Sequence, residues 1–291
     1  MPSEGAPNHR SVAYTDKISA AEGALARLVD AGFPTAAVSR FARALTAVRA
    51  AVARGRLAWS DAAAARSLHQ GKLDLGQLVR IVDAWLPDAG DPAVAQRLRA
   101  LLGGDALPEG DATESAGRDA QAELHVGAQL RQAGLPCQVA EPDFLVTVAD
   151  TRLGIAVKRV KSDRRLEKRA GQAAQQIAGQ ALDGVVVLEV SELVAAEGRL
   201  WLAAVDEPLP QRCRAVAADF AGRAVAALQG RSSAGRVCGV IVAVSTSSVL
   251  LDLRRTGDIL LWSAAETRPL GDPGARAFRD LATRVHGALA V

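Results

Sequence analysis

Aromatic residues are scarce in this chain. They make up 3% of its 291 residues, and there is one tyrosine. The core must therefore be built from Ala, Val and Leu, and no RNA-recognition motif resting on stacked aromatics can be assembled. Cysteine is nearly as rare. Cys137, Cys213 and Cys238 are scattered and odd in number, without metal-ligand spacing, which predicts reduced, buried thiols in a cytoplasmic protein. No apolar run approaches the roughly 18 residues of a membrane span. The first 17 residues, MPSEGAPNHRSVAYTDK, have no apolar stretch of the signal-peptide kind and are expected to be a disordered lead-in. The histidines His9, His69, His125 and His286 are isolated, and Gly103-Gly104 lacks the Gly-Lys-Ser/Thr that would make it a phosphate loop.

What the chain has is length and apolar content. At 49% hydrophobic it can bury a full core, and its length suits two domains. Net charge is +3, so the local placement of charge matters more than the sum. Residues 18–102 read as about five helices without a strand signal. Ser19 and Glu22 form a capping box, and Ser60-Asp61 caps a short third helix. Val38, Phe41, Leu45, Val48 and Val52 make one apolar stripe, and Leu75, Leu78, Val79, Val82 and Leu86 mark a fourth helix. Asp91-Pro92 is a cap followed by a first-turn proline. This predicts a helical bundle that docks a partner protein or a second copy of the chain. Residues 103–118, rich in Gly, Asp, Ser and Pro, are the expected linker.

From residue 119 to 291 the pattern alternates. A helix to Gln132 precedes short strands at Gln138–Ala140, Phe144–Val148 and Leu153–Val160, then a polar helix from Asp163. Gly184–Val190 and Val237–Val244 are nearly continuous apolar runs, as in strands buried on both sides. The order α-β-β-β-α-β, then α-β-β-α, predicts an α/β (α+β) domain with a mixed central sheet.

The chemistry concentrates between Glu141 and Arg169. Side chains alternate along a strand, so Ile155 and Val157 point one way while Ala156 and Lys158 point the other. Asp143 opens the preceding strand of the same hairpin. A carboxylate and a lysine can converge there, on a patch able to hold a hard cation. Immediately beyond, Lys158, Arg159, Lys161, Arg164, Arg165, Lys168 and Arg169 put seven positive charges within twelve residues. Asp163 and Glu167 are the only acids among them. Such a cluster supplies salt-sensitive, sequence-independent affinity for nucleic acid.

Pro142-Asp143, a dozen residues, and Lys158 at a strand end resemble the PD-(D/E)xK nuclease superfamily, the restriction-endonuclease-like fold. Glu123 on the preceding helix, the Lys158-Arg159 pair and the glutamines of the following helix extend the resemblance over residues 119–190. The resemblance implies a Mg²⁺- or Mn²⁺-dependent endonuclease acting on DNA, of the kind found in antiviral defence or repair. It implies Asp143 and Glu123 as metal ligands, Lys158 as the catalytic lysine, and Gln175 or Gln176 as a residue that orients substrate or lysine. Arg159, Lys161, Arg164, Arg165, Lys168 and Arg169 would contact nucleic acid.

One position departs from the pattern. Ala156 stands where the family carries the acid of (D/E)xK, and alanine cannot bind a cation. Three readings stay open: an engineered inactivating change, a natural loss in a domain that binds without cutting, or an acid relocated to Glu167. The expected chain is therefore an inactive nuclease, or a non-catalytic nucleic-acid-binding or assembly subunit on the same fold.

Overall fold

The computed structural model describes residues 9–54, 62–104, 116–196, 209–248, 255–269 and 271–289. Most of the expected linker, Gly55, Ser60-Asp61 and the first eight residues lie outside them.

The first described element is a strand, β1 (His9–Ala13), which runs directly into helix α1 (Tyr14–Asp30). Residues 9–17 are thus structured, not a lead-in, because β1 pairs along the edge of the sheet. Ser19 lies inside α1 and caps nothing. The helix ends where Gly32 takes φ +90 and the Phe33 N–H donates to the Leu28 carbonyl. Next come α2 (Arg40–Arg54), α3 (Ala62–Trp85) and α4 (Pro92–Leu101). The third and fourth expected helices are one continuous helix, α3. Val38 precedes α2 in a 3₁₀ turn and is exposed, so the apolar stripe begins at Phe41. Asp91 caps α4 by accepting from the Ala93 and Val94 N–H groups, at 2.7 and 3.4 Å.

The second half supplies α5 (Ala116–Gln132), β2 (Cys137–Val139), β3 (Phe144–Val148), β4 (Thr151–Arg159), α6 (Leu166–Gly179) and β5 (Gly184–Glu189). After them come α7 (Ser191–Ala196), α8 (Leu209–Leu228), β6 (Val237–Ser248), β7 (Arg255–Glu266) and α9 (Pro273–Leu289). The strands form one seven-stranded mixed sheet in the order β1-β7-β6-β5-β4-β3-β2. Its centre, β4-β5-β6, is parallel, and both flanks are antiparallel. The apolar runs of β5 and β6 follow from this: a parallel centre is covered on both faces.

Strand alternation sorts the core into two layers. Ile155, Val157, Val185, Val187 and Ile241 face one side, with Leu28, Phe41, Leu78, Leu98, Leu124 and Phe278 from α1 to α5 and α9. Ala156, Val186, Leu188, Val240 and Val242 face the other, with α6 and α8. The N-terminal helices therefore share one continuous core with the sheet; the boundary near residues 103–118 is no break in packing. Trp85, at the end of α3, is the pin. Its indole stacks on Phe144 at 5.5 Å and donates to the Leu124 carbonyl at 2.9 Å. Losing a buried ring of this kind costs about 3–5 kcal/mol. α5 can approach only because residue 127 is glycine: a Cβ there would lie 2.5 Å from the Trp85 ring and 2.8 Å from that of Phe144.

Candidate functional site

Helix α5 and the β3–β4 hairpin bring distant charges together at one end of the sheet. Asp143 is buried just before β3, after a cis Glu141–Pro142 bond. Its Oδ2 accepts from the Val157 N–H at 2.7 Å and lies 3.5 Å from Lys158 Nζ. Glu123 projects from α5 to the same place. Between the two acids stands Arg97 of α4, which the sequence reading did not single out. Arg97 Nε donates to Glu123 Oε2 at 3.1 Å, and its Nη2 lies 3.9 Å from Asp143 Oδ1 and 3.5 Å from the Asp143 carbonyl oxygen. Burial pushes the Asp143 carboxyl up to about 7, with the neighbouring Glu123 charge adding to the rise. Burial also raises Glu123, while Arg97 opposes it.

Ala156 is fully buried in the apolar layer under α6. β3 and β4 pair Phe144 with Ile155, and continuing that register sets Asp143 opposite Ala156. The position that would carry a second acid is thus adjacent to Asp143, and it is filled by a methyl group. This donor set does not fit a divalent cation. One or two carboxylates can hold Mg²⁺ when waters complete its shell, but here both acids are already engaged by cationic side chains, Arg97 and Lys158, which oppose a further cation. Glu167, the candidate for a relocated acid, is exposed on α6.

The glutamines do not join the cluster. α6 runs antiparallel to β4: a Cβ on Gly184 would meet Ile177 Cγ2 at 2.8 Å, and Gly184 pairs with Gly154. The turn of α6 that carries Gln175 and Gln176 therefore lies beside Gly154, four residues before Lys158 along β4. Gln175 is exposed. Gln176 holds its Oε1 buried without a hydrogen-bond partner.

The basic run divides. Arg159 follows Ile155 and Val157 to the α5 side and is buried, so it does not belong to a solvated basic face. Its Nε donates to Asp119 Oδ1 at 2.9 Å and its Nη1 to Glu192 Oε1 at 2.7 Å. It lines an open polar cleft of about 460 Å³, including the solvent at its mouth, with Asp74, Arg118, Gln121 and Glu189. Much of that cleft is self-satisfied: Asp74 accepts from Arg40, Gln70, Arg118 and Gln121. Glu189 is buried, and burial pushes it up to about 7 even though it accepts from the Ser191 N–H.

Arg164 and Lys168 are exposed, and Lys161, Arg165 and Arg169 are half-buried on the α6 side. Arg169 donates to Gln172 at 3.1 Å. Two further arginines widen this face. Arg223 of α8 pairs with Asp163 at 2.8 Å, and Arg231 lies over α6 so closely that a Cβ on Gly171 would meet its Nη1 at 2.6 Å.

One other cluster has ligand-type atoms close together: Asp183, Cys238 and Asp272 lie within 4.8 Å of one another. Arg268 already bridges it, donating to Asp183 at 3.0 and 3.1 Å and to Asp272 at 3.3 Å, while Asp272 also accepts from the Ala275 N–H of α9. Burial pushes the Cys238 thiol up to about 11, away from a metal-binding thiolate. These groups read as an ion-paired helix cap. All three cysteines are buried free thiols, and among the described residues no helix is long and apolar enough to cross a membrane.

No family model matches the chain, and neither a curated protein nor a solved structure matches it significantly.

Proposed function

We propose that this chain is a nucleic-acid-binding protein on a PD-(D/E)xK nuclease-like core, whose cleavage centre is disabled at Ala156. The α-β-β-β-α-β order of α5 to β5 supports the family reading. The observation that carries the functional reading is the place of Ala156. It is fully buried, opposite Asp143 and two residues before Lys158, so the centre keeps its lysine and first acid while the second acid is replaced by apolar packing. The basic face of Lys161 to Arg169, with Arg223 and Arg231, lies beyond the end of the same strand and supplies phosphate affinity.

The test is fluorescence anisotropy with labelled duplex DNA. Affinity should fall roughly a hundredfold or more between about 50 and 200 mM salt. Absence of binding at the lower salt sinks the proposal.

A second reading, a metal-dependent nuclease when an acid stands at 156, draws on the convergence of Asp143, Glu123 and Lys158. Its assay is plasmid cleavage in Mg²⁺ by Ala156→Glu, with a thermal melt because the new carboxylate enters an apolar layer. A folded variant that cuts no DNA or RNA ends that reading and leaves the binding protein.

A further inference from the structure

Arg97 is the residue that best accounts for the state of the Asp143 centre. Its α4 helix packs against α5, and its Val94, Leu98 and Leu101 are buried in the core the two helices share. The guanidinium reaches Glu123 at 3.1 Å and Asp143 at 3.9 Å, and its carbon sits 6.0 Å from the centre of the Phe144 ring. Lys158 approaches Asp143 from the other side at 3.5 Å. Two acidic side chains thus face two cationic ones, so the cluster holds its own counter-charges without any bound ion. A dication placed between the acids would displace or repel a guanidinium carried by the protein's own packed helix.

We infer that Arg97 is a resident cation standing in for a divalent metal, which makes this centre metal-independent. The inference takes up the Asp143 centre of the nuclease-like reading and gives the N-terminal helices a role there. On that reading the two positions complement each other: Ala156 offers no carboxylate and Arg97 supplies a cation to the acids that are present.

The experiment titrates Mn²⁺ alone into the full chain and into Arg97→Gln, Arg97→Ala and Arg97→Lys. Binding is followed by calorimetry and by the paramagnetic resonance signal of unbound Mn²⁺. The parent and Arg97→Lys, which keep the positive charge, should show no saturable binding. Arg97→Gln and Arg97→Ala should each take up one Mn²⁺ with a Kd of roughly 10⁻⁴–10⁻³ M, the range of weak oxygen-ligand sites. Adding Asp143→Asn should abolish the gained binding. Arg97→Gln keeps most of the side-chain bulk, so it serves if Arg97→Ala unfolds.

Two results overturn the inference. One is a parent that binds Mn²⁺ in an Asp143-dependent manner as tightly as the variants. The other is a folded Arg97→Gln that still binds none. DNA binding measured in EDTA separates the two proposals: loss of all DNA binding sinks the nucleic-acid reading and leaves the Mn²⁺ comparison standing.

Discussion

Lys158-Arg159 is a dipeptide whose two charges enter different worlds. On one side of β4, Arg159 is buried against Asp119 and Glu192, within a cleft whose polar groups mostly satisfy one another. On the other side, past Lys158, the run from Lys161 to Arg169 turns its exposed members to solvent, where Asp163 has already paired with Arg223. Seven like charges adjacent in sequence therefore do three jobs. Lys158 balances a buried acid, Arg159 holds α5 and α7 to the sheet, and the rest present a field to the outside. A buried charge is held by its partners and is costly to orphan; an exposed one is screened, cheap to remove and available to phosphate.

Arg159→Ala separates the buried charges from the exposed ones most clearly. It leaves Asp119, Glu192 and the cleft without their shared cation, and should lower stability by about 2–3 kcal/mol, since both acids keep part of their contact with solvent. Urea denaturation measures it, and DNA affinity of the protein that remains folded should be unchanged. A stability loss under about 1 kcal/mol with weakened DNA binding would move Arg159 to the exposed group.

The next effect is a pH dependence on the buried side. Glu189 titrates near 7 in the fold against an ordinary value of 4.5, so the folded chain holds a proton that the unfolded chain has released. That contribution to stability is complete below about 4.5 and is lost as pH rises through about 7. Asp143 acts in the same direction from an ordinary value of 3.8. His125, buried and pushed down to about 3 with Arg80 opposing its charge, acts in the opposite sense, losing stability as pH falls below 6.5. The difference between parent and Glu189→Gln isolates the Glu189 contribution. The parent should lose on the order of 2 kcal/mol relative to the variant between pH 4.5 and 7.5. A flat difference would show that Glu189 is ionised in the fold.

On the exposed side, Arg164→Ala and Lys168→Ala should each change stability by no more than about 0.5 kcal/mol. Each phosphate contact removed should weaken DNA binding and reduce the salt slope by about 1. Equal effects of both substitutions on stability and none on binding would leave the face merely solvated.

Much of this arrangement was open to sequence reasoning because it rests on short-range rules. Period-two alternation separated Ile155 and Val157 from Ala156, and burial follows that division. The same rule, carried two residues further, assigns Arg159 to the buried side. The density of positive charge hid this, since it invites treating the run as one patch. Arg97 was out of reach for another reason. It lies 46 residues before Asp143, on a helix whose own pattern shows only an apolar stripe and a cap. Only the packing of α4 on α5 brings it to the acids. The apparent domain boundary had the same origin: Gly- and Pro-rich composition marks a change in local structure and carries no information on whether two apolar surfaces meet.

The smallest expected effect bears on the border between the two regions. Asp163 and Arg223 are 61% and 41% exposed and joined at 2.8 Å across the α6–α8 side, where a surface pair is worth roughly 0–1 kcal/mol. Asp163→Asn should therefore leave stability within about 0.5 kcal/mol of the parent. Its effect on binding should be opposite in sign to that of every other substitution on this face. Removing the acid leaves Arg223 without that counter-ion and adds one unit to the local positive field, so DNA affinity should rise at about 50 mM salt and converge on the parent at higher salt, where exposed charges are screened beyond roughly a Debye length. Anisotropy titrations at two salt concentrations give the answer. Weaker binding by Asp163→Asn would mean that the pair positions Arg223 for contact, and the line between structural and phosphate-facing charge would then run through α8 instead of along β4.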